Sequence, residues 1–116
     1  MHLAVLDFWD RGCGWCIRAM PQIKEVVEHY QGKPVAVLGM NTDREEKAAR
    51  FVVDKLKLNY ATLKAEGLPT KYGVQGFPTL VIIDQKGIVR GFHVGYSPAL
   101  REELIKKIDA LLASSP

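Results

Sequence analysis

The stretch Leu3-Ala4-Val5-Leu6-Asp7-Phe8-Trp9, followed after three residues by Cys13-Gly14-Trp15-Cys16 and then by residues 17–30, decides how this 116-residue chain folds. The opening run is apolar except for Asp7, the pattern of a strand buried on both faces of a parallel or mixed sheet. Ile17, Met20, Ile23, Val27 and Tyr30 then recur every three or four residues, which predicts a helix ended by Gly32, Lys33 and Pro34. The only two cysteines of the chain therefore stand between a buried strand and the mouth of a helix. Unsatisfied N–H groups and the positive end of the helix dipole favour a thiolate there. The C-x-x-C spacing lets the second sulfur reach the first within one turn, so Cys13 can attack a disulfide and Cys16 can resolve the mixed product.

Working outward, Val35-Ala36-Val37-Leu38-Gly39-Met40 reads as a second buried strand. Asp43 and Glu46 form a capping-box pattern before Ala48, Val52 and Leu56, predicting a helix over 43–57. Residues 59–76 are irregular, with one helical turn around 69–72. A strand over 79–84 meets a second over 88–94 through Gln85-Lys86-Gly87, an antiparallel hairpin. Ser97 as N-cap and Pro98 at the first helical position start a last helix with the stripe Leu100, Leu104, Ile108 and Leu111. The expected fold is α/β, in the order β-α-β-α-β-β-α. Two βαβ crossovers and a hairpin make a four-stranded mixed sheet flanked by helices. Residues 1–116 form a single domain with a frayed tail at 113–116.

Hydrophobic residues make up 47% of the sequence, enough for one core in a chain of this length. Sixteen basic against 13 acidic residues give a net charge of +3, and no Lys/Arg run reaches five residues, so nucleic acid is not an expected partner. The longest apolar stretches, at 80–83 and 111–113, fall far below the roughly 20 residues of a membrane span. Met1, His2 and Leu3 lead straight into the first strand without the basic and then apolar leader of a signal peptide.

Cys13 and Cys16 are two ligands of the four that a structural zinc requires, and His2, His29 and His93 do not fall at ligand spacing, so no metal is expected. The three histidines receive no functional role. Trp15 sits at an exposed helix start, where it either touches substrate or packs on a neighbouring loop. Asp7 lies within an apolar strand, where an unpaired carboxylate costs several kcal/mol and responds by taking up a proton. It is either an acid beneath Cys16 that accepts the thiol proton, or a strand-end aspartate facing water. In Gly76-Phe77-Pro78-Thr79 a proline stands immediately before a buried strand, a place suited to a turn or a cis bond. Next to the cysteine loop, the backbone of Phe77 could pair with an extended peptide. Pro21 removes an N–H from the helix that follows the cysteines and is expected to kink it.

Five motifs in register resemble the thioredoxin superfamily, from residue 3 to about 112. They are Leu6-Asp7-Phe8-Trp9, Cys13-Gly14-Trp15-Cys16, Pro21, Asn41-Thr42-Asp43, and Lys71-Tyr72-Gly73-Val74-Gln75-Gly76-Phe77-Pro78-Thr79. The segment 37–46 and the Asp84-Gln85-Lys86-Gly87 turn look more like the extracytoplasmic TlpA/ResA-like branch, which contains thiol:disulfide oxidoreductases, commonly membrane-tethered or periplasmic, several serving cytochrome c maturation as reductants. The resemblance implies Cys13 as nucleophile, Cys16 as resolving thiol, Asp7 as buried proton acceptor and Pro78 as a cis-proline facing the dithiol. Gly76, Phe77 and Trp15 would then contact substrate. Four positions depart from the family pattern: Gly12 replaces a tryptophan, Trp15 a proline, Gly39 a lysine near the buried acid, and Phe77 a smaller residue.

The reading is a monomeric thiol:disulfide oxidoreductase without cofactor. It acts on disulfide or dithiol proteins and is recharged by an upstream thiol/disulfide donor, in an extracytoplasmic setting. Its rivals are a redox-inactive peptide-binding module on the same fold and a thiol peroxidase.

Overall fold

The apolar run at the N-terminus becomes the central strand of the sheet. The computed structural model describes residues 1–114. The elements are β1 (Leu3–Trp9), α1 (Gly14–His29), β2 (Val35–Asn41), α2 (Glu46–Leu56), β3 (Ala61–Lys64), α3 (Leu68–Lys71), β4 (Thr79–Ile83), β5 (Val89–Val94) and α4 (Leu100–Ala113). The strands form one five-stranded sheet in the order β3-β2-β1-β4-β5. β2 lies parallel to β1 and β3 parallel to β2, while β4 runs antiparallel to both β1 and β5.

Alternate residues of β1 divide the core. Leu3 and Val5 pack with Ala19, Ile23 and Val26 of α1 and with Leu100, Leu104 and Ile108 of α4. Leu6 and Phe8 face the other way, against Val81, Met40 and the Leu68 and Tyr72 side chains at α3. Trp9, fully buried, meets Cys16 and Met20 of α1 and Val52 of α2. Truncating a side chain as large as Trp9 to alanine would cost about 3–5 kcal/mol.

Four expectations are corrected. The sheet has five strands rather than four, because Ala61–Lys64 adds to the edge of β2. That strand is four residues long and largely exposed, so it carries no apolar run to announce it. The second parallel crossover accordingly ends on β3, and not on the strand that begins at Thr79. Asp43 does not cap α2, which starts at Glu46 with Glu45 as N-cap and no side-chain cap bond. Its carboxylate is occupied elsewhere: Oδ2 accepts from the N–H of Arg11 and from Nδ2 of Asn41, each at 2.9 Å. Nor does Ser97 cap α4 directly. Its Oγ accepts from Ala99 N–H and its carbonyl from Leu100 N–H, a turn that places Pro98 before the helix. At the C-terminus Ala113 closes α4, with Ser114 as C-cap donating to Ala110; of the tail expected at 113–116, residues 115 and 116 lie outside the described residues. Pro21 falls inside α1, which continues through it to His29.

Candidate active site

Cys13 is the N-cap of α1 in extended conformation, and the N–H of Cys16 donates to its Sγ at 3.1 Å. The two cysteines are joined in a disulfide. Cys13 is half-buried and Cys16 is 1% exposed. No acidic residue stands in the first turn of α1 to oppose negative charge on sulfur. The loop before Cys13 is held from β2. Thr42 N–H donates to the Trp9 carbonyl, Arg11 N–H to Asp43, and Asp43 N–H to Oδ1 of Asn41. The Arg11 guanidinium lies 4.4 Å over the ring of Phe51 on α2.

Phe77 packs with the cluster that holds Cys13, Cys16, Trp9 and Met20, and also with the cluster around Phe8. The Phe77–Pro78 bond is cis, and Pro78 is buried, its carbonyl accepting from Gly95 N–H at 2.8 Å. Gly76 is exposed, and its carbonyl accepts from Oγ1 of Thr79 at 2.6 Å. Among the described residues no backbone group pairs with the N–H or C=O of Phe77. Trp15 is 56% exposed; its ring stacks on Tyr96 with centroids 5.3 Å apart and carries the Arg18 guanidinium 5.2 Å above it. Trp15 thus packs on the loop before α4 and still presents a face to solvent.

Asp7 is 1% exposed, and among the described residues neither carboxylate oxygen has a hydrogen-bond partner. Burial pushes its carboxyl up to about 7. Its side chain shares a face of β1 with Trp9, two residues on, which packs against Cys16. The alternative of a strand-end aspartate facing water does not describe this residue. Asp7 pairs in register with Gly39, where the lysine of the family pattern is absent. Tyr60, buried beside this site, has its hydroxyl pushed up by burial and by the Asp7 charge. The sequence reading missed Tyr60, Thr62 and the Arg11–Asp43–Asn41 clamp, since each reaches the site from a distant part of the chain. Among the described residues no group of three or more His, Cys, Asp or Glu could hold a metal ion.

A model described as the AhpC/TSA family matches residues 2–92. The chain belongs to the AhpC/TSA family. Thioredoxin-like protein YneN of Bacillus subtilis is 30% identical over 109 residues, covering 90% of this chain and 62% of that protein. The thiol-disulfide oxidoreductase ResA of Halalkalibacterium halodurans is 25% identical over 109 residues, covering 92% of this chain and 60% of its own. A solved structure assigned as the thiol:disulfide interchange protein DsbE of Chlorobium tepidum superposes with a TM-score of 0.87 at 31% identity, over 96% of this chain and 80% of that one. This AhpC/TSA member spans about three-fifths of the length of the two curated relatives. It has a thioredoxin-like α/β fold, as the superposition on the Chlorobium tepidum structure shows, and no described helix is long and apolar enough to cross a membrane.

Proposed function

We propose that this domain is a thiol:disulfide oxidoreductase acting on protein disulfides. The observation that carries the reading is the pairing of a half-buried Cys13 at the helix N-cap with a fully buried Cys16 in a disulfide. In the reduced protein the Cys13 thiolate attacks a substrate disulfide. One substrate sulfur leaves as thiolate, and the other is held in a Cys13 mixed disulfide. Cys16 gives its proton to Asp7, bonds to Cys13 Sγ and expels the second substrate thiolate. An upstream dithiol then returns the pair to the reduced form.

An extended substrate segment adds to the free backbone edge of Phe77, beside Gly76 and the buried Pro78. Trp15, braced by Tyr96, offers the second contact. The domain acts as a monomer. The likeness to the TlpA/ResA branch supports work in an extracytoplasmic compartment.

Insulin reduction tests this. Cys13→Ser should abolish turnover, whereas Cys16→Ser should accumulate a covalent Cys13–substrate complex visible on non-reducing gels. Turnover by Cys13→Ser at the wild-type rate would contradict the assignment. Retained peptide binding by the double cysteine variant together with an inert wild type would favour a binding module, and consumption of hydrogen peroxide faster than disulfide turnover would favour a peroxidase.

A further inference from the structure

Arg11 stands two residues before Cys13, and Arg18 two residues after Cys16. Both are exposed, and each guanidinium lies over an aromatic ring: Arg11 over Phe51 at 4.4 Å, Arg18 over Trp15 at 5.2 Å. Among the described residues neither side chain forms an ion pair with a carboxylate. Their surroundings differ. The Arg11 N–H is bonded to Asp43, so a carboxylate shares its side of the loop. Arg44 lines a groove beside Phe77 that Asp43 and Glu66 also line, and that side too is balanced in charge. Around Arg18 the helix positions three and four residues away are Gly14, Trp15, Pro21 and Gln22, none of them acidic. Where α1 meets α4 the carboxylates are engaged elsewhere, Glu103 with Ser97 and His93, and Glu25 and Glu102 with Arg101. Arg18 is therefore a cation without a counter-charge, held on the tryptophan between the two cysteines.

The platform under it is fixed from two directions. Trp15 stacks on Tyr96 of the β5–α4 loop, with centroids 5.3 Å apart. On one side of that loop, Gly95 N–H donates to the Pro78 carbonyl at 2.8 Å. On the other, Gln22 of α1 donates from Nε2 to the Ser97 carbonyl at 3.0 Å, and its Oε1 accepts the N–H of Arg101 at 2.9 Å. The loop thus ties the start of β4 to the active-site helix, and the Arg18–Trp15–Tyr96 stack lies between them. A segment that pairs with the backbone of Phe77 and bonds to Cys13 has this stack beside it.

We propose that Arg18 is a specificity-determining residue that receives a substrate carboxylate, an Asp or Glu next to the reacting cysteine, so that the domain prefers disulfides set in acidic segments. The inference rests on the exchange reading above. A cation–π contact uses none of the five N–H donors of a guanidinium, and their planar fork matches a carboxylate in a bidentate pair. The residue beside the substrate cysteine is one Cα step of about 3.8 Å away from it, within reach of the first turn of α1 once the mixed disulfide has formed. A lysine at that position would meet like charge instead. Trp15 covers the apolar part of the same segment, being 56% exposed.

The test measures kcat/KM for three model peptide disulfides whose cysteine is flanked on both sides by Glu, by Gln or by Lys. These peptides differ in the reactivity of their own sulfurs, so the decisive quantity is how the Glu-to-Lys ratio changes between protein variants, which cancels that difference. Arg18→Gln should lower the ratio by about threefold to tenfold at low salt, because attraction to Glu and repulsion of Lys are lost together. Arg18→Glu should lower it further, and Arg18→Lys, which keeps the charge without the fork, should fall between wild type and Arg18→Gln. In about 1 M salt, where the Debye length is about 3 Å, the ratios of wild type and Arg18→Gln should converge. A ratio unchanged in Arg18→Gln and Arg18→Glu, even with all three rates lowered, would overturn the proposal by reducing Arg18 to a support for Trp15. An equal drop in Arg11→Gln would overturn it as well, by assigning the preference to the general field of the loop. Failure of the exchange reading would show separately, as a wild type that turns over none of the three peptides.

Discussion

The N–H of Cys16 donates to Sγ of Cys13 at 3.1 Å, across the first turn of α1. The helix therefore aims a backbone donor and its positive end at the sulfur of half-buried Cys13, while Cys16 stays in the core. Limited iodoacetamide should alkylate the reduced protein at Cys13 at least about tenfold faster than at Cys16, as mass spectrometry of peptides would show. Equal modification of the two would contradict the division of roles.

Asp7 should leave a signature in stability. Its carboxyl titrates near 3.8 in the unfolded chain and is pushed up to about 7 in the fold. The folded state thus holds a proton that the unfolded state has lost. The contribution is fully present below pH 3.8 and is lost as the pH rises through 7. The difference between the two values corresponds to about 4 kcal/mol. Urea unfolding of wild type and Asp7→Asn should show wild type losing up to about that much relative to the variant between pH 4 and pH 8. Parallel pH profiles would mean that Asp7 titrates normally.

Asp43 fastens the cysteine loop to the end of β2 through Arg11 and Asn41. Asp43→Ala should lower stability by about 1–2 kcal/mol, because two donors lose their acceptor. It should also reduce insulin turnover more than it reduces turnover of a small aromatic disulfide, since the loop faces protein substrates. An unchanged melting temperature would remove the clamp from the account.

Gly39 is a place where a single methyl matters. Thr62 Oγ1 at 3.0 Å and Trp9 Nε1 at 3.2 Å leave a Cβ too little room between strands that cannot separate. Gly39→Ala should destabilise the protein by about 1–3 kcal/mol, the usual result of overpacking a sheet interior. Calorimetry showing an equal or higher melting temperature would contradict it.

Much of this was legible in the sequence because it is local. The apolar run ending at Trp9, the switch to helical spacing after Cys16 and the two cysteines at the junction are contiguous, and they mark β1, α1 and the redox pair together. Asp7 stood out because a carboxylate in an apolar strand is costly. What escaped depends on partners far along the chain. β3 exists because β2 presents an edge to Ala61–Lys64, and not because those four residues insist on being a strand. Asp43 had a cap's spacing, but Arg11, 32 residues earlier, takes its carboxylate. Tyr60 and Thr62 carry no local mark at all; only the register that sets Thr62 beside Gly39 and Asp7 brings them to the site.

The most direct test of the central claim is equilibration of the protein in glutathione buffers of stepped redox poise, followed by Trp9 and Trp15 fluorescence. The account predicts one reversible two-electron transition that disappears in both Cys13→Ser and Cys16→Ser. A wild-type signal that stays flat across the range, or that persists without either cysteine, would contradict it.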